Sequence, residues 1–225
     1  MEELITNHLA MMDSINPQRW VKLIVDEWGA WYDVEEGTNP GFLYQQNTMR
    51  DAIVAGLTLN IFNKHADRLM MANIAQTVNV LQSVILTDGE KMIKTPTYYI
   101  FKMYKEHQEN TLVGSYITTP LVNSPNDNKD FPQLCESASV DENGTIYSTI
   151  TNNSSTKSAK IKCQIADTKV ESITAEILTG ECHQKNDFDN ADNVKTVEFT
   201  DFRKLKDGFT AAIPACSVVK FVINK

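Results

Sequence analysis

Residues 21–31 read VKLIVDEWGAW, and their interpretation decides the fold of this chain. Five mostly apolar residues, 21–25, run straight into Asp26 and Glu27, with Trp28 and Trp31 close behind. A near-continuous apolar run of this length is what a parallel strand needs when both of its faces are covered. The two acids at its end call for a further explanation. In parallel α/β architectures ligand sites gather at the C-terminal ends of strands, where loops present side chains above the sheet.

Working outward, the segments on either side have helical character. Residues 1–16 carry acids among Leu4, Ile5, Leu9 and Met12, which predicts an amphipathic helix. Residues 47–66 open on a capping-box-like Thr48…Asp51 pair and stay apolar for several turns. LMMANIAQ, residues 69–76, predicts a second buried strand ending in Gln76. Residues 94–108 start a third helix, with Thr95 as N-cap, Pro96 at the first helical position, and Ile100, Phe101 and Tyr104 on one face. The order helix, strand, helix, strand, helix implies βα units and a parallel sheet.

From about residue 111 the period changes to two. In SAKIKCQIA, residues 158–166, Ala159, Ile161, Cys163 and Ile165 alternate with Lys160, Lys162 and Gln164, the pattern of a half-buried antiparallel strand. Residues 144–152, 170–180, 195–202 and 215–225 predict further strands, and Asn143-Gly144 and Asp207-Gly208 are hairpin dipeptides. Residues 123–130 and 183–193 read as polar loops. Several short strands with turn signals suggest a β-sandwich. The expected fold class is therefore α/β plus all-β, with a boundary near residues 109–112.

Composition narrows the function classes. The net charge of −8 over 225 residues argues against a nucleic-acid partner, which surplus Lys and Arg would serve. No apolar run approaches the ~20 residues of a membrane-spanning helix, so no membrane partner is expected. The acidic first residues lack the basic start of a signal peptide. Cys135, Cys163, Cys182 and Cys216 are irregularly spaced with no C-x-x-C. They are expected as reduced thiols of a cytoplasmic protein, with two disulfides of a secreted protein as the alternative. His8, His65, His107 and His183 lack metal-ligand spacing, and neither a nucleophile elbow nor a phosphate-binding glycine loop occurs. No metal site and no cofactor are expected.

Glu27 is the leading candidate for chemistry. Trp28, Trp31 and Tyr32 lie within a turn's reach, and a carboxylate beside aromatic walls is partly desolvated, which suits covalent or acid–base work. Sugar rings stack on such aromatic faces. The plainer alternative is a carboxylate solvated at a strand end, or one capping the next helix. Neighbouring strand residues point to opposite faces, so Asp26 is expected to diverge from Glu27 and to be structural. Gln76 repeats the position of Glu27 at the end of the second strand, with an amide in a buried hydrogen-bond network as the alternative.

These residues form a long combined signature: DEWGAW (26–31), NTMRDA (47–52), LNIFNKHADR (59–68) and ANIAQTVNVLQ (72–82). Over roughly residues 1–108 the sequence closely resembles the family 51 glycoside hydrolases, the intracellular α-L-arabinofuranosidases. SASVDENGTIYSTITNNS (137–154) and IPACSVVKFVI (213–223) are more loosely similar to that family's C-terminal domain. The resemblance implies a retaining exo-hydrolase built as a (β/α)₈ TIM barrel followed by a β-sandwich domain. Glu27 matches the catalytic nucleophile at the end of the seventh barrel strand. Trp31 matches an aromatic wall of the sugar site and Gln76 an amide bonded to the arabinose ring, while Trp28, beside the acid, is a further candidate for substrate contact from its position alone.

A retaining mechanism needs a second carboxyl about 5–5.5 Å from the first. In the family this acid is the Glu of an Asn-Glu pair several strands earlier. Only 26 residues precede Glu27 here, and they contain no Asn-Glu. A complete barrel takes about 250 residues. Residues 1–110 are thus expected to be the last two βα units, beginning inside the helix before strand seven, and residues 111–225 the sandwich. The implied substrates are arabinofuranosyl oligosaccharides. An incomplete barrel exposes strand edges and helix faces, so self-association or a partner supplying the N-terminal barrel half is expected. A non-catalytic carbohydrate-binding or assembly module, or a degenerate fragment, is the alternative.

Overall fold

The computed structural model describes residues 1–124 and 129–225. Its first half holds helices α1 (Glu2–Ile15), α2 (Met49–Lys64) and α3 (Pro96–Tyr104) with strands β1 (Leu23–Trp28) and β2 (Leu69–Ile74). The two strands pair in parallel, from Leu23↔Leu69 to Trp28↔Ile74, because the connection through α2 returns the chain to the same end of the sheet. β1 begins two residues later than its apolar run suggested and takes in both acids and Trp28. The ladder sets this register: the Leu23 amide donates to the Arg68 carbonyl at 2.8 Å, while Val21 is exposed.

One face of this small sheet is covered. Leu23, Val25, Leu69, Ala72 and Ile74 pack with Ile5 and Leu9 of α1, Ala52 and Phe62 of α2, and Ile100 and Met103 of α3. The other face is open, leaving Ile24 47% and Met71 46% exposed. Two strands do not close a barrel.

Local chemistry fixes the helix starts. The Thr48 amide and hydroxyl donate to Asp51 Oδ2 at 2.8 and 3.2 Å, the reach-back half of a capping box. The next two amides, of Met49 and Arg50, donate to the carbonyls of Gln184 and Cys182 at 2.9 and 2.8 Å. A loop from the second half of the chain thus satisfies donors that no helix can satisfy internally. α3 has Pro96 at its first position, while the Thr95 hydroxyl donates away from the helix, to the Ser83 carbonyl at 2.8 Å. Between β2 and α3 lies a hairpin, β3 (Ile85–Asp88) and β4 (Lys91–Lys94). Its signal, Asp88-Gly89, is an ordinary hairpin dipeptide inside a stretch that reads as a connection.

The second half is sheet-rich. Strands β5 (Thr111–Val113), β8 (Leu134–Val140), β9 (Ile146–Asn152), β11 (Ser172–Thr179), β12 (Val197–Glu198) and β15 (Ser217–Asn224) make an antiparallel sheet ordered β12-β11-β15-β9-β8-β5. A second sheet is ordered β10 (Ala159–Gln164), β14 (Gly208–Ile213), β13 (Phe202–Leu205). The two layers share a core in which Phe221 stacks on Phe209 at 4.3 Å and meets Phe199 and Phe202 edge-on. β6 (Leu121–Ser124) and β7 (Lys129–Pro132) form a hairpin, so the ends of the expected polar loop at 123–130 are strand and its centre lies outside the described residues.

The larger sheet is buried on both sides. Ile177 and Val219 face the sheet–sheet core, whereas their neighbours Leu178 and Val218 join the core formed by the helices. That double burial explains the near-continuous apolar run of β15. α2 comes so close that a Cβ on Gly56 would sit 2.7 Å from Thr151 Oγ1.

Candidate functional site

Between Val25↔Ala72 and Trp28↔Ile74, β1 spends two residues, Asp26 and Glu27, where β2 spends one, Asn73. This is a β-bulge, a device that re-aims side chains at strand ends. Both carboxylates are exposed. Strand alternation is interrupted at the bulge, and of the two carboxylates Glu27 lines the cavity described below while Asp26 does not.

The bulge also decides the fate of Trp28, which is 5% exposed. Its ring lies edge-on to Phe62 at 5.5 Å and stacks on Phe101 at 6.1 Å. Trp28 is a core residue rather than an open wall for a sugar, which corrects the expectation for it. Trp31, by contrast, is 66% exposed.

Two buried amides place Trp31. Gln45 Nε2 and Gln82 Nε2 both donate to the Ala30 carbonyl, at 3.0 and 3.1 Å, and Gln45 Oε1 accepts the Tyr32 amide at 2.8 Å. Gly29 has φ +149°, and a Cβ there would meet Gln82 Nε2 at 2.3 Å. Neither glutamine carries a local sequence signal, since each acts on a backbone segment that is distant in the chain.

Glu27, Trp31, Ala75 and Leu81 line a shallow cavity of about 260 Å³, with Trp28, Gly29 and Ala30 at its back. Glu27 is the carboxylate among its lining residues. Ala75 is held by its amide on the Trp28 carbonyl at 3.0 Å. Gln76 follows it, exposed and outside the lining, so it completes no buried network in this chain.

On another side of Trp31 lies a polar cleft of about 550 Å³, lined by Tyr32, Asp33, Glu35, Arg50 and His183 among others. The Arg50 guanidinium sits 3.5 Å above the Tyr32 ring, a cation–π contact. Burial, and after it the Asp51 charge, raise the Tyr32 hydroxyl above its usual pKa. Among the described residues no group of three or more His, Cys, Asp or Glu side chains is placed to hold a metal ion. No described helix is long and apolar enough to cross a membrane.

The family model of the α-L-arabinofuranosidase C-terminal domain matches residues 26–217. The chain belongs to this family. An intracellular exo-α-L-arabinofuranosidase of Bacteroides ovatus is 41% identical over 220 residues, 97% of this chain and 43% of the relative. The crystal structure of the GH51 arabinofuranosidase from Xanthomonas axonopodis pv. citri superposes with a TM-score of 0.95 at 40% identity, covering 100% of this chain and 45% of that one. The α-L-arabinofuranosidase of Thermotoga maritima, solved as an arabinose complex, has the same fold at 22% identity and a TM-score of 0.80, covering 97% of this chain and 48% of that one. The chain spans less than half the length of each of these family 51 relatives.

Proposed function

We propose that this chain is the catalytic C-terminal portion of a retaining, exo-acting α-L-arabinofuranosidase. Residues 1–110 supply the last two βα units of a (β/α)₈ barrel, and residues 111–225 form the appended sandwich. The reading rests on one observation: Glu27 is exposed at a strand-end bulge and lines one cavity with Trp31. In this reading the Glu27 carboxylate attacks the anomeric carbon of a terminal arabinofuranosyl group. The bond to the leaving oxygen breaks as a second carboxyl, about 5–5.5 Å away, protonates it. Water then releases arabinose from the glycosyl-enzyme. Trp31 is the wall of the sugar site, and Gln76 donates to the ring once the site is complete.

The second carboxyl comes from polypeptide outside this sequence, and the chain alone is inactive. The open sheet face with Ile24 and Met71, and the exposed Leu4, Met11, Ile15 and Trp20 along and beyond α1, support a partner seated there, either the rest of the barrel or a second copy. The names of the relatives support the substrate class, and the word intracellular in one of them supports a cytoplasmic setting.

The test is hydrolysis of an aryl α-L-arabinofuranoside by the chain alone and by the chain combined with the remaining barrel strands, including their Asn-Glu pair. Activity only in the combination, and none with Glu27→Gln, is the expected result. Sugar binding without turnover in the combination would favour a non-catalytic module.

A further inference from the structure

Two thiols meet beside the loop that receives α2. Cys182 follows β11, Cys216 precedes β15, and their sulfurs are 3.6 Å apart. The β11–β15 ladder ends at Thr179↔Ser217, so both cysteines lie just beyond its last rung. Cys216 is 4% exposed and anchored by its amide on the Ser154 carbonyl at 2.8 Å. Cys182 is half-buried, in a turn closed by the Gln184 amide on the Glu181 carbonyl at 2.8 Å. We propose that Cys182 and Cys216 are a paired oxidation site that closes to an intramolecular disulfide with a small-molecule disulfide, such as oxidised glutathione, as the oxidant.

The exchange balances in two steps. Cys182 gives up its proton and attacks one sulfur of oxidised glutathione, breaking that S–S bond and releasing one glutathione. Cys216 then gives up its proton and attacks the Cys182 sulfur, expelling the second glutathione. The protein loses two protons and two electrons, and the oxidant becomes two thiols. The sulfurs close from 3.6 Å to the about 2.0 Å of a disulfide. Cys182 makes most of this movement, because Cys216 is fixed between the Ser154 contact and the β15 ladder. Burial, and then the neighbouring Cys182, hold the Cys216 thiol up at about 12, so the second step is slow at neutral pH and quickens as pH rises.

Closure reaches beyond the two sulfurs. The carbonyls of Cys182 and Gln184 accept the Arg50 and Met49 amides, and His183 between them lines the cleft next to Trp31. A disulfide therefore pins the turn that satisfies the first turn of α2.

The test oxidises the reduced full chain with excess oxidised glutathione, then maps its peptides by mass spectrometry without reduction. The expected result is a Cys182–Cys216 link that forms about tenfold faster per pH unit below the Cys216 pKa. It should raise the thermal midpoint by roughly 5 °C or more, slow hydrogen exchange at Met49 and Arg50, and reverse with dithiothreitol. Cys182→Ser, at the less buried position, should fold and lose both link and shift. A lasting glutathione adduct on Cys182 without closure, a link through Cys135 or Cys163, or an unreacted chain would each overturn the proposal.

Discussion

Asn60 of α2 and Thr149 of β9 meet at 2.8 Å, with both side chains fully buried. The Asn60 oxygen also accepts the Ser137 hydroxyl at 2.8 Å, and its nitrogen donates to the Cys135 carbonyl at 3.0 Å and to Thr151 Oγ1 at 3.3 Å. One amide thus joins a helix of the first half to two strands of the second. His107 adds bonds to Ser139 at 2.8 Å and Thr149 at 3.1 Å, and Lys64 an ion pair to Glu136 at 2.7 Å. The helix–sheet junction is held by matched polar groups as well as by apolar burial.

Asn60→Leu should therefore destabilise the chain by about 3 kcal/mol or more, since it deprives several buried partners at once. Urea unfolding measures this directly. A loss under about 1 kcal/mol would mean that the partners re-pair among themselves.

His107 makes stability fall in mild acid. Burial, and then the Lys220 charge, lower its pKa to about 4. The unfolded chain binds this proton near pH 6.5, so between about pH 6.5 and 4 the unfolded state carries more protons and stability drops as pH falls. The full effect is on the order of 3 kcal/mol, levelling off below pH 4. His107→Gln should flatten the difference between unfolding curves at pH 7 and pH 4.5, and an unchanged difference would rule out His107 as its source.

The two tryptophans should separate stability from binding. Trp28→Ala opens a hole against Phe62 and Phe101 and should cost about 3–5 kcal/mol. Trp31→Ala touches an exposed ring and should stay within about 0.5 kcal/mol. In the completed enzyme it should still weaken arabinoside binding about tenfold. Equal unfolding midpoints for the two variants would contradict their different burial.

Glu27→Gln should leave the unfolding midpoint unchanged, because the side chain is exposed. In the completed enzyme it should reduce aryl arabinofuranoside turnover by roughly four orders of magnitude or more. A variant that keeps most of its rate would remove Glu27 from the nucleophile's role.

Local chemistry was readable wherever neighbours in the chain do the work. Thr48 with Asp51 marks the start of α2, Pro96 the start of α3, and the alternation from Ala159 to Ile165 marks β10, half-buried as its pattern demands. Glu27 and Trp31 could be singled out because only three residues lie between them in the chain. The β3–β4 hairpin was passed over although Asp88-Gly89 announces it, and β6 and β7 begin and end inside what reads as a polar loop.

By itself the sequence determined the order of helices and strands, the change of period near residue 111, and the acid and aromatic at the end of the first strand. Each depends on residues a few positions apart, whose side chains compete for the same turn or pleat. Only the tertiary structure decided that β1 bulges at Asp26 and Glu27, that Trp28 turns inward while Trp31 stays out, and that Gln45 and Gln82 grip Ala30. It alone brought Cys182 to Cys216. These features arise where segments far apart in the chain meet, and there a break in the alternation, such as the one at Asp26 and Glu27, is set by the partner strand and not by neighbours in sequence.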